Sequence, residues 1–264
     1  DSLLTLGQLD NGLTYYIREN RQPEKRAEIW LIVDAGSNQE DDDQQGLAHF
    51  VEHMAFNGTE RFPRQKLIDY LERTGMRFGP DINAYTSFEE TVYMLRMPTD
   101  EEGLLETGIE ILREWASAVS FADEEVEKER GVVVEEWRLG LGAEARIRDK
   151  QFPVLFKDSR YAERLPIGKK EILETAPTEA LRRFYHDWYR PDLMAVVAVG
   201  DFDGERIERL IVENFSPLTN PEEPRERKIY PVPDHDETLY AIVTDPEAPA
   251  TLLAIYYKLP RRPE

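Results

Sequence analysis

Two histidines and a glutamate within residues 46–54, GLAHFVEHM, have a spacing that suits metal chemistry. On a helix, His49 and His53 are four residues apart, so their imidazoles project from one face about one turn apart. Two neutral ring nitrogens in this arrangement match part of a tetrahedral Zn²⁺ shell, with bonds of roughly 2.0–2.1 Å. Glu52 lies on the flank of the same face, where it can reach a metal-bound water without being a ligand. Zinc lowers the pKa of that water toward ~7, and a nearby carboxylate can take its proton and pass it to the leaving amine.

Two histidines leave such a site one protein ligand short, and a glutamate-rich helix predicted over residues 123–139 is the best source of a third. Within it, Glu129 and Glu136 are seven residues apart and lie nearly in line on one face, whereas Glu135 points about 100° away. The spacing favours Glu136 as the ligand and Glu129 as a support that orients a ligand and offsets charge. The ordinary alternative for these acids is a solvated helix face, because the helix is crowded with glutamates.

Composition excludes several other classes of site and partner. The chain has 264 residues, a net charge of −20 and no cysteine. Without cysteine there can be no disulfide, thiolate zinc site or cysteine nucleophile. The acidic balance would repel a phosphate backbone, so nucleic acid is not an expected partner, and no apolar stretch approaches the roughly 20 residues that span a bilayer. Of the 4 histidines, His186 is predicted to pack in the interior and His235 to lie on a linker surface.

The elements that must position these groups follow from hydrophobic periodicity and turn signals. Asn11-Gly12 predicts a hairpin turn before a strand over residues 13–18, and Pro63 is expected to start a helix that ends at Gly75. The remaining predictions are strands over 27–35 and 194–199, an extended segment over 83–97, and helices beginning at 46–47 and spanning 101–119, 123–139, 178–189 and 205–215. Strands and helices in this irregular order favour an α+β layered domain over a regular βαβ winding.

Three regions are predicted along the chain. Residues 1–215 form a zinc-binding catalytic α+β domain, and residues 216–236, rich in proline and charge, form a linker. Residues 237–264 contain strand candidates at 239–244 and 251–258. Because two strands do not make a domain, we interpret them as the truncated start of a second α+β domain.

Taken together, these segments resemble the pitrilysin/insulinase family of inverted-motif (His-x-x-Glu-His) zinc metalloproteases, and the chain is most similar to the bacterial members. The similarity covers most of the length and rests on residues 46–59, 83–87, 129–136, 184–191 and 196–201. It implies a two-layer sandwich in which helices cover a mixed, mostly antiparallel sheet. It also implies that the fold is repeated in the complete protein, so that two halves enclose a chamber for unfolded peptides.

The resemblance assigns a role to each candidate residue. It implies that His49, His53 and Glu136 bind zinc, with one Zn²⁺ per chain. It makes Glu52 the general base and Glu129 a residue that assists. The family's edge strand, which pairs with the substrate backbone by strand addition, is matched here by three residues, Asn83, Ala84 and Tyr85.

Two features depart from the family pattern. The interval from His53 to Glu136 is a few residues longer than is usual. In addition, nothing in the sequence matches the residues that the family's C-terminal half supplies to complete the substrate site. The fragment alone is therefore expected to cleave weakly or not at all.

The expected function is that of a zinc metalloendopeptidase, which hydrolyses peptide bonds in unfolded peptides or small proteins by attack of a zinc-bound water with Glu52 as general base. Its expected partners are the peptide substrate and the missing C-terminal half or a partner subunit. The alternative is a non-catalytic peptide-binding or assembly subunit of a two-subunit protease, although such subunits typically lose the motif that this chain keeps. A purely structural zinc is disfavoured because three protein ligands leave an open position. For the compartment, the bacterial periplasm is favoured and the cytoplasm stays open.

Overall fold

A single open sheet forms the frame of the fold in the computed structural model, which describes residues 3–63 and 66–259. Its strands are β1 (Leu4–Gln8), β2 (Thr14–Glu19), β3 (Arg26–Val33), β4 (Ile82–Thr86), β5 (Thr91–Pro98) and β6 (Met194–Gly200). They lie in the order β1-β2-β6-β3-β5-β4, with β2 and β6 parallel and every other neighbouring pair antiparallel. The predicted mixed, mostly antiparallel sheet is thus confirmed.

Eight α-helices lie in the described part of the chain. They are α1 (Leu47–Asn57), α2 (Lys66–Arg73), α3 (Leu104–Ser117), α4 (Asp123–Leu139), α5 (Ala143–Leu155), α6 (Lys170–Thr175), α7 (Thr178–Trp188) and α8 (Gly204–Phe215). Within the described ranges, no helix has the length and apolar character needed to cross a membrane.

One face of the sheet packs against helices and forms the core. Tyr93 on β5 has ring contacts with both Phe56 of α1 and Trp115 of α3, so these two helices cover the same face. Gly108 permits the close approach of α3, because a Cβ at this position would lie 2.4 Å from the Met97 methyl group. The α+β architecture of a sheet covered by helices is confirmed, and α1 is fixed directly against the strands.

Most predicted elements are confirmed with small shifts in their bounds. The hairpin at Asn11-Gly12 joins β1 to β2, and the helix predicted from Pro63 is α2, although residues 64–65 lie outside the described ranges. The extended segment 83–97 is two strands, because Ser87 donates a backbone hydrogen bond of 2.8 Å to Glu90 and closes a turn between them. Helices α5 and α6 were not predicted.

The predicted strands at 239–244 and 251–258 are wrong, since residues 216–259 contain no helix or strand. Apolar side chains in this segment are exposed, among them Ile242, because no strand lies beside them and an isolated pair of strands is marginally stable at best. Ion pairs nevertheless join the segment to the sheet domain, including Arg227 to Glu89 at 2.9 Å and Arg146 to Asp245 at 2.8 Å. The division into a domain, a linker and the start of a second domain stays a prediction.

Candidate metal centre

Helix α1 carries both histidines on the face that it turns toward α4. Its apolar residues, Leu47, Phe50 and Met54 among them, are buried because α1 packs on β4, β5 and α7. The rings of His49 and His53 lie 4.6 Å apart and nearly perpendicular, with 3.2 Å between their Nε2 atoms. The i, i+4 spacing therefore brings two ring nitrogens to one point, as the sequence predicts.

Helix α4 brings a carboxylate to the same point. The two oxygens of Glu136 lie 3.7 Å from His49 Nε2 and 3.4 Å from His53 Nε2. The neighbouring Glu135 turns away and pairs with Arg138 at 2.5 Å. The structure thus brings together His49, His53 and Glu136, whose donor atoms all lie within 4.8 Å of one another.

These three donors fit a zinc ion. In a tetrahedral shell with bonds of about 2.0–2.1 Å, neighbouring ligand atoms are about 3.3 Å apart. The two Nε2 atoms are 3.2 Å apart, close to that value, and each has one Glu136 oxygen at a similar distance, 3.7 Å for His49 and 3.4 Å for His53. Two neutral imidazoles and one carboxylate are a common zinc donor set, and a three-residue shell leaves the fourth position open.

Glu129 contacts the His53 ring on the side away from the candidate metal position. Its Oε1 accepts a hydrogen bond of 2.7 Å from Nδ1 of His53, and its Oε2 accepts one of 2.8 Å from the side-chain amide of Asn57. With the proton on Nδ1, the Nε2 lone pair of His53 points to the candidate metal position. The two hydrogen bonds of Glu129 thus hold the His53 ring in one orientation, and its assignment as a support of a metal ligand stays a prediction.

Glu52 lies on α1 between the two histidines in sequence and is only 7% exposed. Its Oε2 accepts a hydrogen bond of 2.6 Å from the hydroxyl of Thr86. Burial raises the pKa of Glu52 to about 7, against the opposing effects of the Thr86 hydrogen bond and the His53 charge. A carboxyl group with such a pKa can both accept and return a proton near neutral pH.

The pKa values of the two histidines shift in opposite directions. Burial, followed by the charge on His53, lowers the pKa of His49 to about 4. Burial also acts to lower the pKa of His53, but hydrogen bonds to Glu129 and Glu136 outweigh it and raise the pKa to about 9. Because a cation needs both Nε2 atoms unprotonated, its binding would release a proton from this centre.

The predicted substrate strand is the edge strand β4. Asn83, Ala84 and Tyr85 pair with Met94, Tyr93 and Val92 of β5, and no strand in the described part of the chain pairs with the outer edge of β4. An open edge is what strand addition by an extended peptide requires. Because α1 contacts β4 and Thr86 ends that strand beside Glu52, this edge runs to the candidate centre.

Comparison with known proteins decides the family. The sequence model described as "Insulinase (Peptidase family M16)" matches residues 15–149, which include both histidines and the three candidate acids, and the model of its inactive domain matches residues 176–264. The chain belongs to the insulinase family. The expected family is therefore confirmed.

Individual members of the insulinase family are similar over nearly the whole chain. A zinc protease PQQL-like protein of Arabidopsis thaliana is 42% identical over 96% of this chain and 27% of its own length. The probable zinc protease PqqL of Escherichia coli is 40% identical over 98% of this chain and 28% of its own. The expected likeness to bacterial members is confirmed, and a plant relative is similarly close. The chain spans about a quarter of the length of these relatives.

A solved structure of this family has the same fold. The crystal structure of the first half of the periplasmic protease PqqL from Escherichia coli superposes with a TM-score of 0.85 at 41% identity. The match covers 89% of this chain and 50% of that one. The open α+β sheet with its covering helices is therefore the insulinase-family fold.

Three residues near the centre were missed by the sequence reasoning. Asn57 is four residues after His53, so helical periodicity could have placed it on the ligand face. Thr86 ends β4, and Glu40 reaches the start of α1 from a loop; neither contact has a local sequence signal. The remaining histidines lie elsewhere. His186 was predicted to be interior but its side chain is 78% exposed, because α7 turns it to solvent. His235, predicted to lie on a linker surface, is half-buried in the segment after residue 215.

Proposed function

We propose that this chain is the zinc-binding N-terminal part of a metalloendopeptidase that hydrolyses peptide bonds in unfolded peptides or small proteins. One observation carries the proposal: the donor atoms of His49, His53 and Glu136 lie within 4.8 Å of one another. Glu52, the acid proposed as general base, is on the helix that carries both histidines.

His49, His53 and Glu136 would hold one Zn²⁺ per chain. When bound, zinc supplies a Lewis acid that polarises a carbonyl and lowers the pKa of a water toward ~7. Glu129 keeps His53 in the ligating tautomer through the 2.7 Å hydrogen bond to its Nδ1. Both histidines and Glu52 come from one rigid helix, so the relative placement of ligands and base depends little on loops.

Glu52 is proposed to move the proton. Its carboxylate takes a proton from the attacking water and passes it to the amide nitrogen of the leaving group. A pKa of about 7, which results chiefly from burial, is close to the value at which an acid can serve both steps. Such proton transfer typically contributes about 10²–10⁴-fold to the rate.

The edge of β4 is proposed to hold the substrate as an added strand. Main-chain groups of Asn83, Ala84 and Tyr85 would pair with the peptide backbone, a mode that ignores side-chain identity and permits broad specificity. The substrate site is proposed to be completed by a C-terminal half or a partner subunit, so that the isolated fragment is weakly active or inactive. The bacterial periplasm is the proposed location, supported by the periplasmic protease PqqL of Escherichia coli.

The test uses the complete polypeptide, an unstructured fluorogenic peptide and elemental analysis. Glu52→Gln should keep stoichiometric zinc and abolish cleavage, whereas Glu136→Gln should lose both. Glu135→Gln is the matched control, because Glu135 is the next residue on α4 but pairs with Arg138, and it should retain both zinc and activity. Cleavage that survives Glu52→Gln would exclude Glu52 as the base, and zinc binding without any cleavage by the unaltered protein would favour a non-catalytic subunit.

A further inference from the structure

The start of helix α1 is capped by a residue outside the helix. Gly46, the residue before α1, has φ +101 and no side chain that could satisfy the free N–H groups of the first turn. Glu40 supplies the acceptor instead. Its Oε1 accepts hydrogen bonds of 2.9 Å from the backbone N–H groups of both Gly46 and Ala48.

Glu40 is fully buried, so these hydrogen bonds are made away from solvent. Burial raises the pKa of Glu40 well above its usual value, while the hydrogen bonds from Ala48 and Gly46 and the charges of Arg164 and Arg160 act in the opposite direction. An acid in this position is costly unless such partners compensate it. Its carboxylate is thus committed to the first turn of one helix.

That turn contains His49 but not His53. Counting from Leu47, His49 is the third residue of α1 and directly follows Ala48, whereas His53 lies one turn further on. Loss of a cap affects mainly the first turn, because fraying begins at a helix end. The position of the His49 ring therefore depends on Glu40 far more than that of His53.

The loop that carries Glu40 is itself anchored to the chain after α5. The guanidinium of Arg160 donates to the carbonyl of Glu40 and, at 2.6 Å, to that of Asn38. Lys169 donates a backbone hydrogen bond of 3.2 Å to the carbonyl of Gln45. Glu40 consequently caps α1 from a fixed position and cannot follow the helix if the carboxylate is shortened or removed.

We propose that Glu40 is a positioning residue for the metal centre: by capping α1 from the preceding loop, it fixes His49 in the place where that residue and His53 bind one Zn²⁺. This inference rests on the proposed function. Residues that orient metal ligands typically change metal affinity by about 10–100-fold when they are replaced. A cap with no such role would change stability alone.

The experiment measures Zn²⁺ affinity by chelator competition and records the visible absorption of the Co²⁺-substituted complete protein. Glu40→Ala should weaken Zn²⁺ binding about 10–100-fold and alter the Co²⁺ spectrum, since His49 is displaced. Glu40→Gln keeps an acceptor oxygen and should recover most of the affinity. Glu40→Asp shortens the side chain by one methylene, which moves the acceptor oxygen away from the N–H groups of α1, so Zn²⁺ binding should also weaken. This variant replaces Glu40→Ala in the test if Glu40→Ala does not fold.

Asp203→Ala is the matched control. Asp203 caps α8, which carries no candidate site residue, by accepting a hydrogen bond of 2.9 Å from Arg206 N–H. This variant should unfold at a lower urea concentration, because the cap is lost, with unchanged Zn²⁺ affinity and Co²⁺ spectrum. The inference would be overturned if Glu40→Ala and Glu40→Asp bound Zn²⁺ as tightly as the unaltered protein and gave the same Co²⁺ spectrum. That result would leave the proposed function intact. Failure of the unaltered protein to bind Zn²⁺ would overturn the proposed function and this inference with it.

Discussion

The hydroxyl of Thr86 donates a hydrogen bond of 2.6 Å to Oε2 of Glu52. The bond joins the last residue of the open edge strand β4 to the acid proposed as general base. It fixes one carboxylate oxygen and leaves the other to exchange a proton. Thr86 therefore couples the strand proposed to bind substrate with the group proposed to carry the proton.

Replacement of Thr86 by valine should lower kcat. Valine has nearly the shape of threonine but lacks the hydroxyl, and a hydrogen bond to a charged group is worth about 1.5–3 kcal/mol, so we expect a loss of about 10-fold or more. Zinc content and KM should be unchanged because the proposed ligands and the main-chain groups of β4 are unaltered. Thr86→Ser keeps the donor and should retain most of the activity; equal activity of the valine and serine variants would contradict this role.

Removal of the Glu129 charge should weaken zinc binding. In Glu129→Gln the contact with His53 Nδ1 loses its charge, so we expect about 10–100-fold lower Zn²⁺ affinity in a chelator competition. Glu125→Gln is the control on the same helix, because Glu125 lies one turn earlier and pairs with Lys128 at 3.0 Å. Equal affinities of the two variants would show that Glu129 does not orient the ligand.

Local periodicity explains which parts of the site the sequence could predict. His49, His53 and Glu52 share one helix, and helical geometry alone fixes how they face one another. Glu136 could be chosen over Glu135 because a 100° rotation separates them. Thr86 contacts Glu52, and Glu40 contacts the start of α1, each from another segment of the chain. Such contacts follow from the tertiary fold, which no spacing in the sequence reveals.

In the fold as well, elements with a clear local pattern could be predicted, whereas those that depend on tertiary contacts could not. Helix α4, Asp123–Leu139, was predicted with its observed bounds because acidic residues mark its first turn and glycine follows its last residue. Helix α5 was missed because Pro153 and a charged, weakly amphipathic sequence hide its period. Residues 239–244 and 251–258 have the composition of strands, but strand formation needs a neighbouring strand, and the described residues provide none.

The ion pair between Arg225 and Asp41 predicts a pH-dependent attachment of the segment after residue 215. Arg225 donates to Asp41 and lies 5.1 Å above the Trp188 ring. The hydrogen bond from Arg225 lowers the pKa of Asp41 below its ordinary value of 3.8. A carboxyl whose pKa is lower in the folded state than in the unfolded state stabilises the folded protein at any pH above its unfolded-state pKa. This stabilisation is lost as the pH falls through the folded-state pKa.

A double-mutant cycle with Arg225→Ala and Asp41→Asn can measure this attachment in urea unfolding. Both side chains are more than a third exposed, so the coupling energy should be about 1 kcal/mol or less at pH 7 and should shrink below about pH 4. Lys170 and Glu174, an exposed pair within α6, provide a control cycle that does not involve this segment. A coupling energy that stays constant from pH 7 to pH 3 would show that Asp41 is not its source.

Substitution of Gly168 should disturb the metal centre from a distance. Gly168 has φ +72, and a Cβ there would lie 2.2 Å from Cα of Gly46, the residue that precedes α1. Gly168→Ala therefore combines backbone strain with a backbone clash, and we expect a loss of about 3 kcal/mol or more in urea unfolding. The clash pushes on the first turn of α1, so Zn²⁺ affinity should fall as well.

Gly75→Ala separates the clash from the strain. Gly75 also has a positive φ, +83, but a Cβ there would have no atom within 4 Å. This variant should lose only the strain energy, about 1 kcal/mol, and should bind Zn²⁺ like the unaltered protein. Equal losses of stability in the two variants would mean that the backbone around residue 168 shifts to accommodate the new Cβ without moving Gly46. A selective loss of Zn²⁺ affinity in Gly168→Ala would instead show that the close contact of the two glycines holds the first turn of α1, and with it His49, in place.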